Sequence, residues 1–133
     1  MENEARVAIS SSADIVTARQ RGRALAAELG FDGSDLTVIA TAISEVARNV
    51  VTHAKQGEIL LRPVQNGNKR GILVVARDEG PGIKSVEKAM QYGYSTGKGL
   101  GVGLPGAKWL MDEFEIESKV GQGTKVAMKK WLK

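Results

Sequence analysis

Three short segments in fixed order constrain this chain more tightly than anything else in its 133 residues. The first is Ser44-Glu45-Val46-Ala47-Arg48-Asn49, inside a stretch whose apolar residues recur at helical spacing. The second is Asp78-Glu79-Gly80-Pro81-Gly82-Ile83, directly after an apolar run with the character of a buried strand. The third is Gly97-Lys98-Gly99-Leu100-Gly101-Val102-Gly103-Leu104, which runs into another helical stretch. Each segment alone is ordinary. Together they demand a carboxylate and an amide on one helix face, an acid at a strand end, and a glycine-rich approach to a helix.

The rest of the chain supplies elements around them. Val7-Ala8-Ile9 reads as a first strand, and Ser10, Ser11 and Ser12 offer a helix N-cap. Ile15, Val16, Ala18, Leu25, Ala26 and Leu29 mark a helix over 14–29, which Gly30 ends. A second helix over 34–54 carries Leu36, Ile39, Ala40, Ile43, Ala47 and Val50 on its apolar stripe. Strands follow at 58–64 and 71–78 around the turn Asn66-Gly67-Asn68. A short helix is expected over 85–91 and a loop over 92–99. A further helix follows over 104–111, with Pro105 tolerable only in its first turn. Alternating strands at 113–118 and 124–128 flank Gly121-Gln122-Gly123. The order is strand, two helices, hairpin, glycine-rich loop, helix, hairpin. It implies an α+β, two-layer sandwich with a mixed, mostly antiparallel sheet and helices on one face.

One domain over residues 1–133 is expected, large enough to bury a real core. There is no cysteine, so no disulfide framework or thiolate metal site exists, which fits a cytoplasmic location. The start, Met1-Glu2-Asn3-Glu4, is polar and precedes no apolar h-region, so a secretory signal is not expected. No apolar run approaches the ~20 residues of a membrane span. The net charge of +4 raises the question of nucleic acid, but basic and acidic residues interleave and only 5% of residues are aromatic. Lys129-Lys130-Trp131-Leu132-Lys133 reads as a solvated tail, or a patch for a partner.

Glu45 and Asn49, four residues apart, share a helix face that borders the core. A carboxylate there needs water, a cation or a hydrogen-bond donor. Asn49 can offer a neutral oxygen to Mg²⁺, and Glu45 can act on a nearby nucleophile; the pair also fits plain helix surface. Asp78 can accept the exocyclic amine of adenine, with Gly80 and Gly82 letting the backbone approach a flat base; the segment also fits a simple turn. Gly97, Gly99, Gly101 and Gly103 present backbone N–H groups before a helix, an anion site to which Lys98 adds charge; a flexible linker is the plain alternative. This is neither a P-loop nor a dinucleotide fingerprint. His53, the lone histidine, reads as a helix-end residue. Trp109 and Trp131 read as core or edge packing.

In order and spacing the three segments resemble the N, G1 and G2 boxes of the GHKL superfamily, whose domain has the Bergerat fold. Gly121-Gln122-Gly123-Thr124 is similar to its final Gly-x-Gly-Thr element. The short length resembles the stand-alone serine/threonine kinases of bacterial partner-switching systems. That resemblance implies an ATP and Mg²⁺ pocket under a lid. It implies phosphorylation of Ser or Thr on STAS-domain antagonist and co-antagonist proteins of the stressosome, and activation of a PP2C-type phosphatase by the released kinase. It implies Glu45 as base, Asn49 as Mg²⁺ ligand and Asp78 on adenine, with Gly80 and Gly82 shaping that pocket. Lys98, Gly99, Gly101 and Gly103 would line the phosphates, and Thr124 would support Asp78. Related kinases carry a lid arginine where this chain has Gly99 and Leu100, so weak ATP binding is expected. Two rival readings are a nucleotide-gated binding module without catalysis, and a detached histidine-kinase domain, which lacks an acceptor histidine other than His53.

Overall fold

The computed structural model describes residues 4–84, 86, 90 and 103–133. Strand β1 (Ala5–Ile9) leads into helix α1 (Ser12–Leu29). The turn between them is organised by Asp14, whose carboxylate accepts the N–H of Ser10 at 2.8 Å and of Ser11 at 3.2 Å. Those donors, Ser10 first, hold the Asp14 carboxyl below its usual range. Gly30, at φ +112°, closes α1 with its N–H on Ala27 O. Helix α2 (Ser34–His53) follows, then strands β2 (Gly57–Asn66) and β3 (Lys69–Asp78). Helix α3 (Gly103–Leu110) precedes strands β4 (Glu113–Lys119) and β5 (Gly123–Trp131).

The five strands form one sheet in the order β1-β2-β3-β5-β4. All four pairings are antiparallel. α1 and α2 pack against each other and over the sheet, and α3 packs against α2. Ile39, Ile43, Val46 and Val50 of α2 lie in one buried cluster with Ile59 and Leu61 of β2, Ile72 and Val74 of β3, and Val126 and Met128 of β5. Each such side chain contributes about 1.5–3 kcal/mol on burial, so this cluster sets the stability scale. The expected two-layer α+β sandwich is therefore the observed fold.

β3 is the middle strand, and its residues from Gly71 to Ala76 are all buried. That explains its uninterrupted apolar run: Ile72, Val74 and Ala76 belong to the core under the helices, while Leu73 and Val75 are buried on the other face among side chains of the neighbouring strands. On that face Leu73 pairs with Arg62 and Lys129, and Val75 with Leu60 and Ala127. Glu58 there accepts Arg77 Nη2 at 2.6 Å and Arg6 Nη1 at 3.1 Å. No helix among the described residues is long and apolar enough to cross a membrane.

Two readings of the chain change. The basic C-terminal segment is not a tail: Lys129, Lys130 and Trp131 pair with Leu73, Ile72 and Gly71. Trp131 is buried and donates Nε1–H to Glu113 Oε2 at 2.7 Å, although it lies out of phase with the buried Thr124, Val126 and Met128 of the same strand. Trp109, expected to pack, is 77% exposed on α3. The helix expected over 85–91 is described only at Val86 and Met90, where Met90 N–H bonds Val86 O at 3.0 Å. The remainder of 85–91 and the loop of 92–99 lie outside the described residues.

The hydrogen bond from Arg77 above all, with a lesser one from Arg6, holds the Glu58 carboxyl below its usual range against burial, whose opposing effect ranks between the two. A depressed folded-state value means stability that is present at neutral pH and is lost as pH falls through that value. Glu58→Gln should therefore cost up to about 1 kcal/mol at neutral pH. The gap in Tm between the two proteins should close on acidification, followed by thermal unfolding across a pH series. A gap that persists in acid would show that the ion pairs are not its source.

Candidate functional site

Asp78 ends β3 in a row that crosses the whole sheet. Ile9 pairs with Gly57, Gly57 with Asp78, Asp78 with Thr124, and Thr124 with Ser118. By strand alternation the row faces the helices, because Ala76, Val74 and Ile72 belong to the core on that face. The Asp78 carboxylate bends back on its own turn, Oδ1 accepting Gly80 N–H at 2.9 Å.

That turn is tied to the β4–β5 hairpin. Gly121 N–H reaches Pro81 O at 2.8 Å, and Ile83 N–H reaches Ser118 Oγ at 2.7 Å. Ser118 Oγ also lies 2.8 Å from Thr124 Oγ1 and 3.2 Å from Gly123 O. Thr124 is thus the neighbour of Asp78 in the sheet, while its hydroxyl is engaged with Ser118. Gly80 and Gly82 have packing reasons of their own. A Cβ on Gly80 would meet Ala54 at the end of α2, and one on Gly82 would collide with the Lys119 carbonyl. Gly82 also has φ +78°.

Glu45 lies in the middle of α2 and is only 8% exposed, among buried Ser44, Val46 and Ala47. Ser44 Oγ donates to Ala40 O at 3.0 Å, which satisfies it within the helix. Both Glu45 oxygens are engaged. Oε1 accepts the Gly103 N–H at 3.1 Å, at the first residue of α3. Oε2 lies 3.2 Å from Arg48 Nη1. Asn49 is half-buried one turn further along α2. Val50 and Ala54 then bring the helix to the Asp78 turn, Val50 overlying Gly57 beside Asp78 and Ala54 meeting Gly80. His53 falls in the last turn of α2, as its helix-end reading requires.

The structure thus joins Glu45 to Gly103 and Asp78 to Gly80 and Thr124, with α2 running from one group to the other. A cavity of 1020 Å³ opens at the strand ends, walled in part by Ala54, Gln56, Asp78, Ser118 and Thr124. Its described wall does not include Glu45 or Asn49. Lys98, Gly99 and Gly101 lie outside the described residues. No cluster of three His, Asp or Glu side chains that could hold a metal occurs among the described residues. A half-buried amide such as that of Asn49 could offer one neutral oxygen to a Mg²⁺ that is otherwise held by water and phosphate oxygens.

Two residues escaped the sequence reading. Arg48 was visible only as one member of its segment; its i, i+3 spacing from Glu45 was the available signal. Ser118 read as an ordinary strand residue, and only the register of the β4–β5 hairpin places it opposite Thr124.

Comparison with known proteins adds an independent line. A family model for the histidine kinase-like ATPase domain matches residues 10–130. The chain is 47% identical over 133 residues, covering 100% of both chains, to the serine/threonine-protein kinase RsbT of Bacillus subtilis strain 168. It is 38% identical over 130 residues to an anti-sigma F factor of Caldanaerobacter subterraneus, covering 93% of this chain and 90% of the relative. A similar factor from Thermoanaerobacter sp. is 37% identical over 130 residues, with the same coverage. A crystal structure of the RsbU and RsbW domains of a Mycobacterium tuberculosis protein matches with a TM-score of 0.58 and 25% identity. That match covers 95% of this chain and 32% of the other.

Ser118→Ala would leave the Ile83 N–H without its acceptor and remove the partner of the Thr124 hydroxyl. The expected loss is about 1–3 kcal/mol, read as a lower Tm. An unchanged Tm would mean that the turn and the hairpin are not coupled through this hydroxyl.

Proposed function

This chain belongs to the histidine kinase-like ATPase domain family, and from that premise we propose that it is an ATP-dependent serine/threonine protein kinase of a bacterial partner-switching pathway. The observation that carries the reading is the course of α2. One buried helix presents Glu45, then Asn49, and ends against the turn that begins with Asp78. Glu45 and Ala54 are nine residues apart, about 13.5 Å along a helix. A nucleotide lying along α2 can therefore have its base near Asp78 and its terminal phosphate near Glu45. The relative named as a serine/threonine-protein kinase supports the chemistry, and the anti-sigma F factors support the pathway class.

In this reading Asp78 accepts the exocyclic amine of adenine, with Gly80 and Gly82 shaping the base pocket and Thr124 bracing the strand beside it. Asn49 gives its amide oxygen to Mg²⁺. Lys98, Gly99 and Gly101 line the phosphates with backbone N–H groups and one ammonium, and Gly103 borders them while its own N–H stays on Glu45 Oε1. Glu45 takes the proton of the incoming Ser or Thr hydroxyl. ATP and Mg²⁺, when bound, supply the phosphoryl group and the neutralisation of its charge; the chain's own task is positioning. The substrates are STAS-domain antagonist and co-antagonist proteins of a stressosome. The released kinase binds and activates a PP2C-type phosphatase, and both acts take place in the cytoplasm.

The deciding experiment is incubation with γ-labelled ATP, Mg²⁺ and a STAS-domain protein. Label on a Ser or Thr of that protein is the expected result. Partner binding with no label transferred would favour a nucleotide-gated sequestration module instead.

Glu45→Ala should reduce transfer about 10²–10⁴-fold while ATP still binds, measured by turnover beside equilibrium binding. Full activity in that variant would refute the role of base. Asp78→Asn exchanges an acceptor-only group for a mixed one and should weaken ATP binding about tenfold or more. Unchanged affinity would remove Asp78 from adenine recognition.

A further inference from the structure

We infer that Arg48 is a positioning residue for Glu45, an inference that rests on the reading of Glu45 as the base. The Glu45 carboxylate is held at two points. The Gly103 backbone N–H holds Oε1 at 3.1 Å, and the Arg48 guanidinium holds Oε2 at 3.2 Å. An ionised carboxylate offers about four acceptor sites, so two remain for a substrate hydroxyl. With both oxygens anchored, the plane of the carboxylate is fixed. With Gly103 alone, it can turn about its last side-chain bond.

Stability does not account for Arg48. Its side chain is 47% exposed, against 8% for Glu45. A pair with one partner in solvent contributes little to folding. Orientation is different, because a misplacement of about 1 Å at a reacting group can cost about 100-fold in rate. The arrangement is also local. Arg48 follows Glu45 at i+3 on the same helix, so the contact needs no partner from elsewhere in the fold. One guanidinium nitrogen makes the contact, so an ammonium of similar reach can replace it.

The test compares Arg48→Met, Arg48→Lys and Glu45→Gln with the natural protein. The readout is transfer from γ-labelled ATP to a STAS-domain protein, with kcat and the KM for ATP determined separately. Arg48→Met keeps the aliphatic stem and removes the charge. Its kcat should fall about 10- to 100-fold with the KM for ATP changed less than about twofold. Arg48→Lys should recover most of the loss. An unchanged kcat in Arg48→Met would overturn the inference. So would a raised KM for ATP at unchanged kcat, which would make Arg48 a phosphate contact, and so would a Lys variant as slow as Met at the natural Tm. Glu45→Gln separates this failure from the larger one. If it is inactive while Arg48→Met is fully active, only the role of Arg48 falls; if it is fully active, the base assignment falls and this inference with it.

Discussion

A carboxylate as buried as Glu45 needs hydrogen-bond donors in place of water, and the structure around it supplies two. The donors are the first residue of α3 and a side chain one turn along α2. Through the first, the helix after the glycine-rich stretch is fastened to the helix that carries the carboxylate. Through the second, a half-exposed guanidinium of the same helix is brought against the other carboxylate oxygen. Among the described residues no buried side-chain nitrogen or oxygen lacks a partner, so this placement leaves no uncompensated polar atom.

The other half of the site depends on the sheet. Asp78 is at the end of the middle strand, between Gly57 and Thr124, and its turn is tied to the β4–β5 hairpin through Ser118 and Pro81. In the role proposed for Asp78, a group that recognises one face of a ligand must not drift. A middle strand buried along most of its length supplies that rigidity better than a loop. The hairpin then fixes the turn where the strand stops. Gly80 completes the connection, because only a residue without a side chain lets the turn close against Ala54.

Much of this was legible in the sequence, for reasons that differ by element. The stripe from Ile39 to Val50 announced α2, because period 3.6 is a strong signal over twenty residues. The run Ile72-Leu73-Val74-Val75-Ala76 announced β3, because a middle strand flanked by two others buries side chains of both phases. Glu45 and Asn49 were found through spacing on one helix. The partners of those residues were not legible. Gly103 meets Glu45 across 58 positions of chain, and Ile83 meets Ser118 across 35. Such contacts are set by how elements pack and not by local pattern. Lys129-Lys130-Trp131 misled for the opposite reason: charge suggested a solvated end, while strand pairing and the burial of one indole kept the segment in the sheet.

The division of labour between sheet and helix has a consequence for how the site tolerates change. Asp78 and its neighbours belong to a hydrogen-bonded network in which Ser118 serves three groups at once, so damage there spreads to stability as well as recognition. Glu45 and Arg48 belong to one helix, and α2 is held by its apolar stripe whether or not the two touch. Changes at Arg48 therefore act on the orientation of a single carboxylate, with the fold left as a bystander. The other anchor of that carboxylate is a backbone N–H, that of Gly103, which no side-chain change on the exposed face of α3 at Lys108 or Trp109 removes.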